Sequence, residues 1–191
     1  MPGDGSIVKE TIADCEERMG KAIEALRREL STIRTGRANP ALVDQLRVDY
    51  YGTPTLLKQL ASVMVPEARL LTIQPWDKGS LSAIEKAIQK SDLGLNPSND
   101  GSVIRLVIPQ LTEDRRKELV KMVHKKLEDG RVAIRNIRRD AHEMLRDFRR
   151  EKEISEDQEF NAQEDLQKVT DRYIADADKL GEEKEKELLE V

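Results

Sequence analysis

The chain has 191 residues, 37% of them charged and 3% aromatic, and a formal net charge of −4. Such a composition excludes a thick aromatic core and favours long solvated helices. Its single cysteine excludes an internal disulfide and, with only two histidines, leaves no zinc cluster to expect.

Ile12, Cys15, Met19, Ile23, Leu26, Leu30 and Ile33 recur at steps of three or four, which predicts a helix over 6–34 with one apolar stripe. Cys15 is in register with that stripe and reads as a small core residue. The segment IRTGRANP then breaks the helix at Gly36 and Pro40. Strands follow: QLRVDYYG alternates in polarity, LASVMV and RLLTIQPW are short apolar runs, and SVIRLVIP is bounded by Gly101 and Pro109. YGTPT reads as a turn, and Trp76 is expected to pack at a domain edge. One helix interrupts the strands, capped by Ser80, with Leu81, Ile84, Ala87 and Ile88 on one side and an end near Gly94.

After PQLT, Thr112 is a plausible N-cap with acids behind it. Val123, Leu127, Gly130, Ile134, Ile137, Ala141, Met144 and Phe148 alternate steps of four and three, the seam of an antiparallel bundle. Ser155 and Gln158 form a capping box that opens the last helix, whose apolar face runs through Ala162, Leu166, Val169, Tyr173, Ala177, Leu180 and Leu188. The three helices, about 29, 38 and 34 residues long, each have one narrow apolar face and must pack together.

The expected fold is therefore α+β. An antiparallel three-helix bundle from 1–34 plus 112–191 carries an inserted β/α/β domain at 35–111. Two short connectors join them, so a bent, two-armed molecule is expected. A hinge would fall at Arg34, Thr35, Gly36 and Arg37 on one connector and Pro109, Gln110 and Leu111 on the other.

Charge is segregated along the chain. From Arg115 to Arg150 the net charge is +7, and from Glu151 to the end it is −9. Seven arginines fall in RVAIRNIRRDAHEMLRDFRR, residues 131–150. At 100° per residue, Arg131, Arg135, Arg138, His142, Arg146 and Arg149 share about 80° of arc on one helix face. Asp140, Glu143 and Asp147 point to another side, so the stripe holds no acid of its own between Arg131 and Arg149. A nucleic-acid or other polyanion surface is the leading reading; contact with the acidic last helix and plain solvation are the alternatives. Arginine suits bidentate phosphate recognition. With few aromatics to stack bases, structured RNA is a better expectation than sequence-specific single strands or a DNA site.

Catalysis has little support. No phosphate-binding glycine loop and no G-x-S-x-G elbow occur. His124 and His142 lie on the basic helix, too far apart for joint chemistry. No catalytic residue, metal site or cofactor is expected. No apolar run approaches the ~18 residues of a membrane span, and MPGDGSIVKE lacks signal-peptide features. A soluble, cytoplasmic protein without a membrane partner is expected.

Several longer segments resemble one family. IRTGRANP at 33–40, VDYYGTPTLLKQLASV at 48–63, EKAIQKSDLGLNP at 85–97, LTEDRRKELVK at 111–121, RVAIRNIRRDA at 131–141 and KEISEDQ at 152–158 are similar to the ribosome recycling factors. The resemblance runs from about Ile7 onward and leaves MPGDGS as a short disordered extension. It implies a non-enzymatic monomer that binds the large-subunit rRNA in the intersubunit space after termination. With elongation factor G and GTP, the family splits the ribosome into subunits, and mRNA and tRNA are released. Arg131, Arg135, Arg138 and Arg139 match its rRNA contacts, and Arg34 and Arg37 its basic connector.

Overall fold

The computed structural model describes residues 5–190. The first four residues of the expected disordered extension lie outside them; Gly5 and Ser6 begin a helix. In chain order the elements are α1 (Ser6–Ser31), α2 (Ala41–Asp44), β1 (Arg47–Tyr50), β2 (Thr53–Leu56), α3 (Leu57–Leu60) and β3 (Ala61–Glu67). There follow β4 (Leu70–Pro75), α4 (Leu81–Lys90), β5 (Pro97–Asn99), β6 (Ile104–Val107), α5 (Glu113–Arg150) and α6 (Glu156–Leu189). The chain forms two compact units. One takes it up to Ile33 and then Glu118–Lys186; the other takes Arg34–Lys117 and the chain from Glu187 on.

In the first unit, cross-helix pairs define the packing. Arg18 meets Asp140 and Glu29 meets Lys126, so α1 and α5 run antiparallel. Arg131 meets Asp178 and Arg149 meets Glu159, so α5 and α6 are antiparallel too. Glu16 meets Arg172, which sets α6 parallel to α1 and closes a three-helix bundle. Two glycines let the helices approach. A Cβ on Gly130 would stand 3.1 Å from Leu26 Cδ2, and one on Gly181 would stand 2.6 Å from Leu127 Cδ2.

The core follows the sequence stripe with two local departures. In α1 the buried set is Thr11, Cys15, Met19, Ile23, Leu26 and Leu30, with Ile12 only half-buried. In α5 the seam ends on Leu145 rather than Met144, which is 44% exposed. A straight helix turns every 3.6 residues, so a strict 3.5-residue alternation drifts off the contact line over five turns. The last step is therefore four, not three.

The helix ends are chemically closed. Thr112 Oγ1 accepts from the Arg115 amide at 3.2 Å, and Glu113 and Asp114 favour the α5 N-terminus. At the other end Lys152 takes a left-handed conformation at φ 62°. The Glu153 amide donates to Phe148 and the Lys152 amide to Arg149, the paired bonds of a Schellman closure. Ser155 Oγ accepts from the Gln158 amide at 3.1 Å, and Gln158 Oε1 accepts from the Ser155 amide at 2.8 Å. This is the reciprocal capping box read from the sequence. It starts α6 four residues after α5 has been closed.

The second unit holds a four-stranded antiparallel sheet in the order β3-β4-β6-β5 and a separate β1-β2 hairpin. Leu71, Ile73, Ile104 and Leu106 from the sheet share a fully buried cluster with Val48, Leu57, Ile84 and Ile88. Three expectations change here. The turn is confined to Tyr51 and Gly52, both at positive φ, and Thr53–Leu56 is strand; Pro54 is tolerated because β2 is an edge. Asp77, not Ser80, caps the turn before α4, its carboxylate accepting from the Gly79 amide at 2.9 Å. Trp76 is not packed: it is 71% exposed.

The seam drift has a stability consequence. Leu145→Ala should cost about 2–5 kcal/mol, and Met144→Ala under about 1 kcal/mol, in urea unfolding followed by circular dichroism. Equal costs would mean that the seam follows Met144 instead.

Candidate nucleic-acid interface

The basic stripe sits on α5, a 38-residue helix held on two sides by α1 and α6, so its side chains project from a stiff support. They fall into two groups.

The first group is engaged. Arg131 donates to Asp178 Oδ1 from Nε at 2.8 Å and Nη2 at 2.5 Å, and reaches Glu128 Oε2 at 3.3 Å. The hydrogen bond to Asp178 is the main reason its guanidinium holds its proton above the ordinary range. Arg135 Nη1 shares Glu128, at 3.2 Å from Oε1. Arg149 Nε lies 2.7 Å from Glu159 Oε2, whose side chain is 10% exposed and also accepts from Gln163. His124, two turns before this row, sits 2.6 Å from Glu185.

The second group has no carboxylate partner among the described residues. Arg138 donates to the neutral Gln167 amide oxygen at 3.1 Å, which orients it without neutralising it. Arg139, His142 and Arg146 have no hydrogen-bond or ion-pair partner among the described residues. Together with Arg138 they line a groove of about 640 Å³ that is walled on the α6 side by Phe160, Gln163 and Gln167.

Part of the sequence reading is thereby corrected. No acid lies on the stripe between Arg131 and Arg149, yet Arg131, Arg135 and Arg149 are paired with carboxylates outside it, Arg131 and Arg149 through the contact with the acidic last helix that stood as an alternative reading. Glu128 lies one turn before the row on the same face and was reachable by extending the helical projection. Asp178 and Glu159 belong to another helix, and a projection of α5 alone cannot show them. Sequence reasoning also missed Phe160, an aromatic outside the apolar stripe of α6. Its position off that stripe was the available signal.

The connector residues are placed as follows. Arg34 donates to the carbonyls of Leu93 at 2.5 Å and Asp92 at 3.2 Å. Thr35 and Gly36 are buried, with Gly36 at φ 74°, and Arg37 lies 3.2 Å from Glu190. Pro109 and Gln110 are exposed, and Leu111 is half-buried. All seven belong to the second unit.

The chain thus joins a bundle of long helices, with guanidinium groups beside a groove, to a small antiparallel-sheet unit. No helix among the described residues is long and apolar enough to cross a membrane. The profile of the ribosome recycling factor family matches residues 26–189. A ribosome-recycling factor of Syntrophomonas wolfei is 59% identical over 185 residues, 97% of this chain and 100% of its own length. One of Brevibacillus brevis is 58% identical over 178 residues, 93% of this chain and 96% of its own. A solution structure of the ribosome recycling factor superposes with a TM-score of 0.78 at 45% identity, covering 96% of this chain and 98% of that one. A second structure, described as models for the T. thermophilus ribosome recycling factor and the E. coli elongation factor G bound to the E. coli post-termination complex, gives a TM-score of 0.68 at 50% identity. It covers 95% of this chain and 98% of that chain. This chain belongs to the ribosome recycling factor family.

Two measurements probe the site's surroundings. Burial pushes the Cys15 thiol up to about 11, so at pH 8 the native protein should resist a thiol-specific disulfide reagent and react fully only in denaturant; rapid native reaction would contradict its core placement. Arg149→Ala strands the mostly buried Glu159 and should cost about 1–2 kcal/mol. Arg139→Ala should stay within about 0.5 kcal/mol, both read from thermal unfolding.

Proposed function

We propose that this chain binds the post-termination ribosome through large-subunit rRNA. Acting with elongation factor G and GTP, it then splits the ribosome into subunits, leading to release of mRNA and tRNA. The end-to-end likeness to ribosome-recycling factors carries this reading. The neighbour bound with elongation factor G on a post-termination complex supports the choice of partners. In this reading the chain works in the cytoplasm, performs no catalysis, needs no cofactor and acts as a monomer.

The arrangement of charge suggests a division of labour. Arg131, Arg135 and Arg149 tie α5 to its own acids and to α6, and so stiffen the support. Arg138, Arg139 and Arg146 present charge outward, where phosphates can replace solvent. A support that bent under load would dissipate any push delivered by elongation factor G. The domain boundaries read from the sequence, 1–34 plus 112–191 for the bundle and 35–111 for the insert, differ from the compact units in Arg34, in 112–117 and in the chain from Glu187 on. The hinge residues would divide in role: 34–37 is held by the Arg34 and Arg37 contacts, while exposed Pro109 and Gln110 leave the second connector freer to move.

Light scattering of post-termination ribosomes with elongation factor G and GTP tests the function. Addition of this protein should produce a fall in scattering as subunits separate. The double variant Arg139→Glu, Arg146→Glu should lose large-subunit binding by at least about tenfold, since two outward cations become anions, with its melting temperature unchanged. Wild-type binding by that variant would remove these residues from the interface. No scattering change with the wild-type protein would overturn the function.

A further inference from the structure

Phe160 is 62% exposed on α6, beside the groove that holds the uncompensated cations of α5. The whole chain has only two phenylalanines, and leaving this one in water forgoes the gain of burying its ring. The capping box and the Schellman closure fix the first turn of α6, so the ring is presented from an ordered support. Around it stand Arg139, His142 and Arg146 without partners, and also two carboxylates, Glu143 and Glu164.

That mixture is informative. A surface built only for phosphate would have no use for carboxylates, which repel it. A site for a nucleobase would: the ring offers a stacking face, guanidinium groups hold the flanking phosphates, and a carboxylate accepts from an exocyclic amino group. The cleft's volume of about 640 Å³ accommodates a nucleotide. We infer that Phe160 is a stacking platform for one unpaired base of an RNA strand whose phosphates lie on Arg139 and Arg146. This rests on the RNA-binding reading above and adds a base contact to what would otherwise be backbone recognition. Glu143 and Glu164 favour a base carrying an amino group, so adenine, cytosine or guanine is taken over uracil.

The test measures binding of the full chain to purified large ribosomal subunits over a range of salt concentrations. Phe160→Ala should weaken binding about tenfold while leaving the slope of log K against log salt unchanged, because no phosphate contact is lost. Phe160→Tyr and Phe160→Trp should restore affinity, and Phe160→Leu should not. Rescue by leucine as fully as by tryptophan would overturn the inference in favour of an apolar protein contact. Wild-type affinity in Phe160→Ala, alongside loss in the Arg139→Glu, Arg146→Glu double variant, would overturn stacking and leave the RNA anchor standing. Wild-type affinity in both would overturn stacking and the anchor together.

Discussion

The antiparallel contact of α5 with α6 is the constraint on which the rest of the structure depends. Here the most basic segment of the chain lies along the most acidic one. Complete neutralisation would make a stable, inert rod; no pairing would leave two helices each repelling itself. The observed compromise pairs Arg131 with Asp178, Arg135 with Glu128 and Arg149 with Glu159, and leaves Arg138, Arg139 and Arg146 without a carboxylate partner among the described residues. Exposed ion pairs contribute little singly, about 0.2–1 kcal/mol each, so the apolar seam supplies the cohesion. The pairs fix register, and register decides which cations remain available.

That seam depends on two close approaches. Gly130 admits Leu26 and Gly181 admits Leu127, so three long helices meet with side chains nested rather than abutting. Close nesting makes a helix stiff over its length, because any bend must open packed contacts. Charged groups spaced along a stiff support keep their mutual distances, and spacing is how a protein reads a structured polyanion without many base contacts.

Much of the fold was legible in the sequence because its signals are local. The Ser155–Gln158 capping box, the Thr112 cap and the heptad-like stripes each express themselves within a few residues; the two caps occur as read, and the stripes hold apart from local departures such as Ile12 and Met144. Long-range features were less legible. Met144 and Leu145 exchange roles because a 3.6-residue helix drifts from a 3.5-residue pattern. Ser80 yields its cap to Asp77 because a short 3-10 turn precedes α4. Of the acids facing the arginine row, Asp178 stands 47 residues from Arg131 in sequence and Glu159 follows the turn after Arg149; both are on another helix, and only assembled packing brings them near. Phe160 was passed over for the opposite reason: it belongs to no stripe, and an aromatic outside a stripe carries meaning only once its neighbours are known.

Salt dependence of binding to large ribosomal subunits tests the central claim most directly, because each phosphate contact releases counterions. The account predicts a linear fall of log K with log salt, with a slope reduced by about two when Arg139 and Arg146 are both neutralised to glutamine. A smaller change is predicted for the same treatment of the internally paired Arg131 and Arg135. An unchanged slope in the first variant, or a larger change in the second, would contradict the division between holding and reading charges.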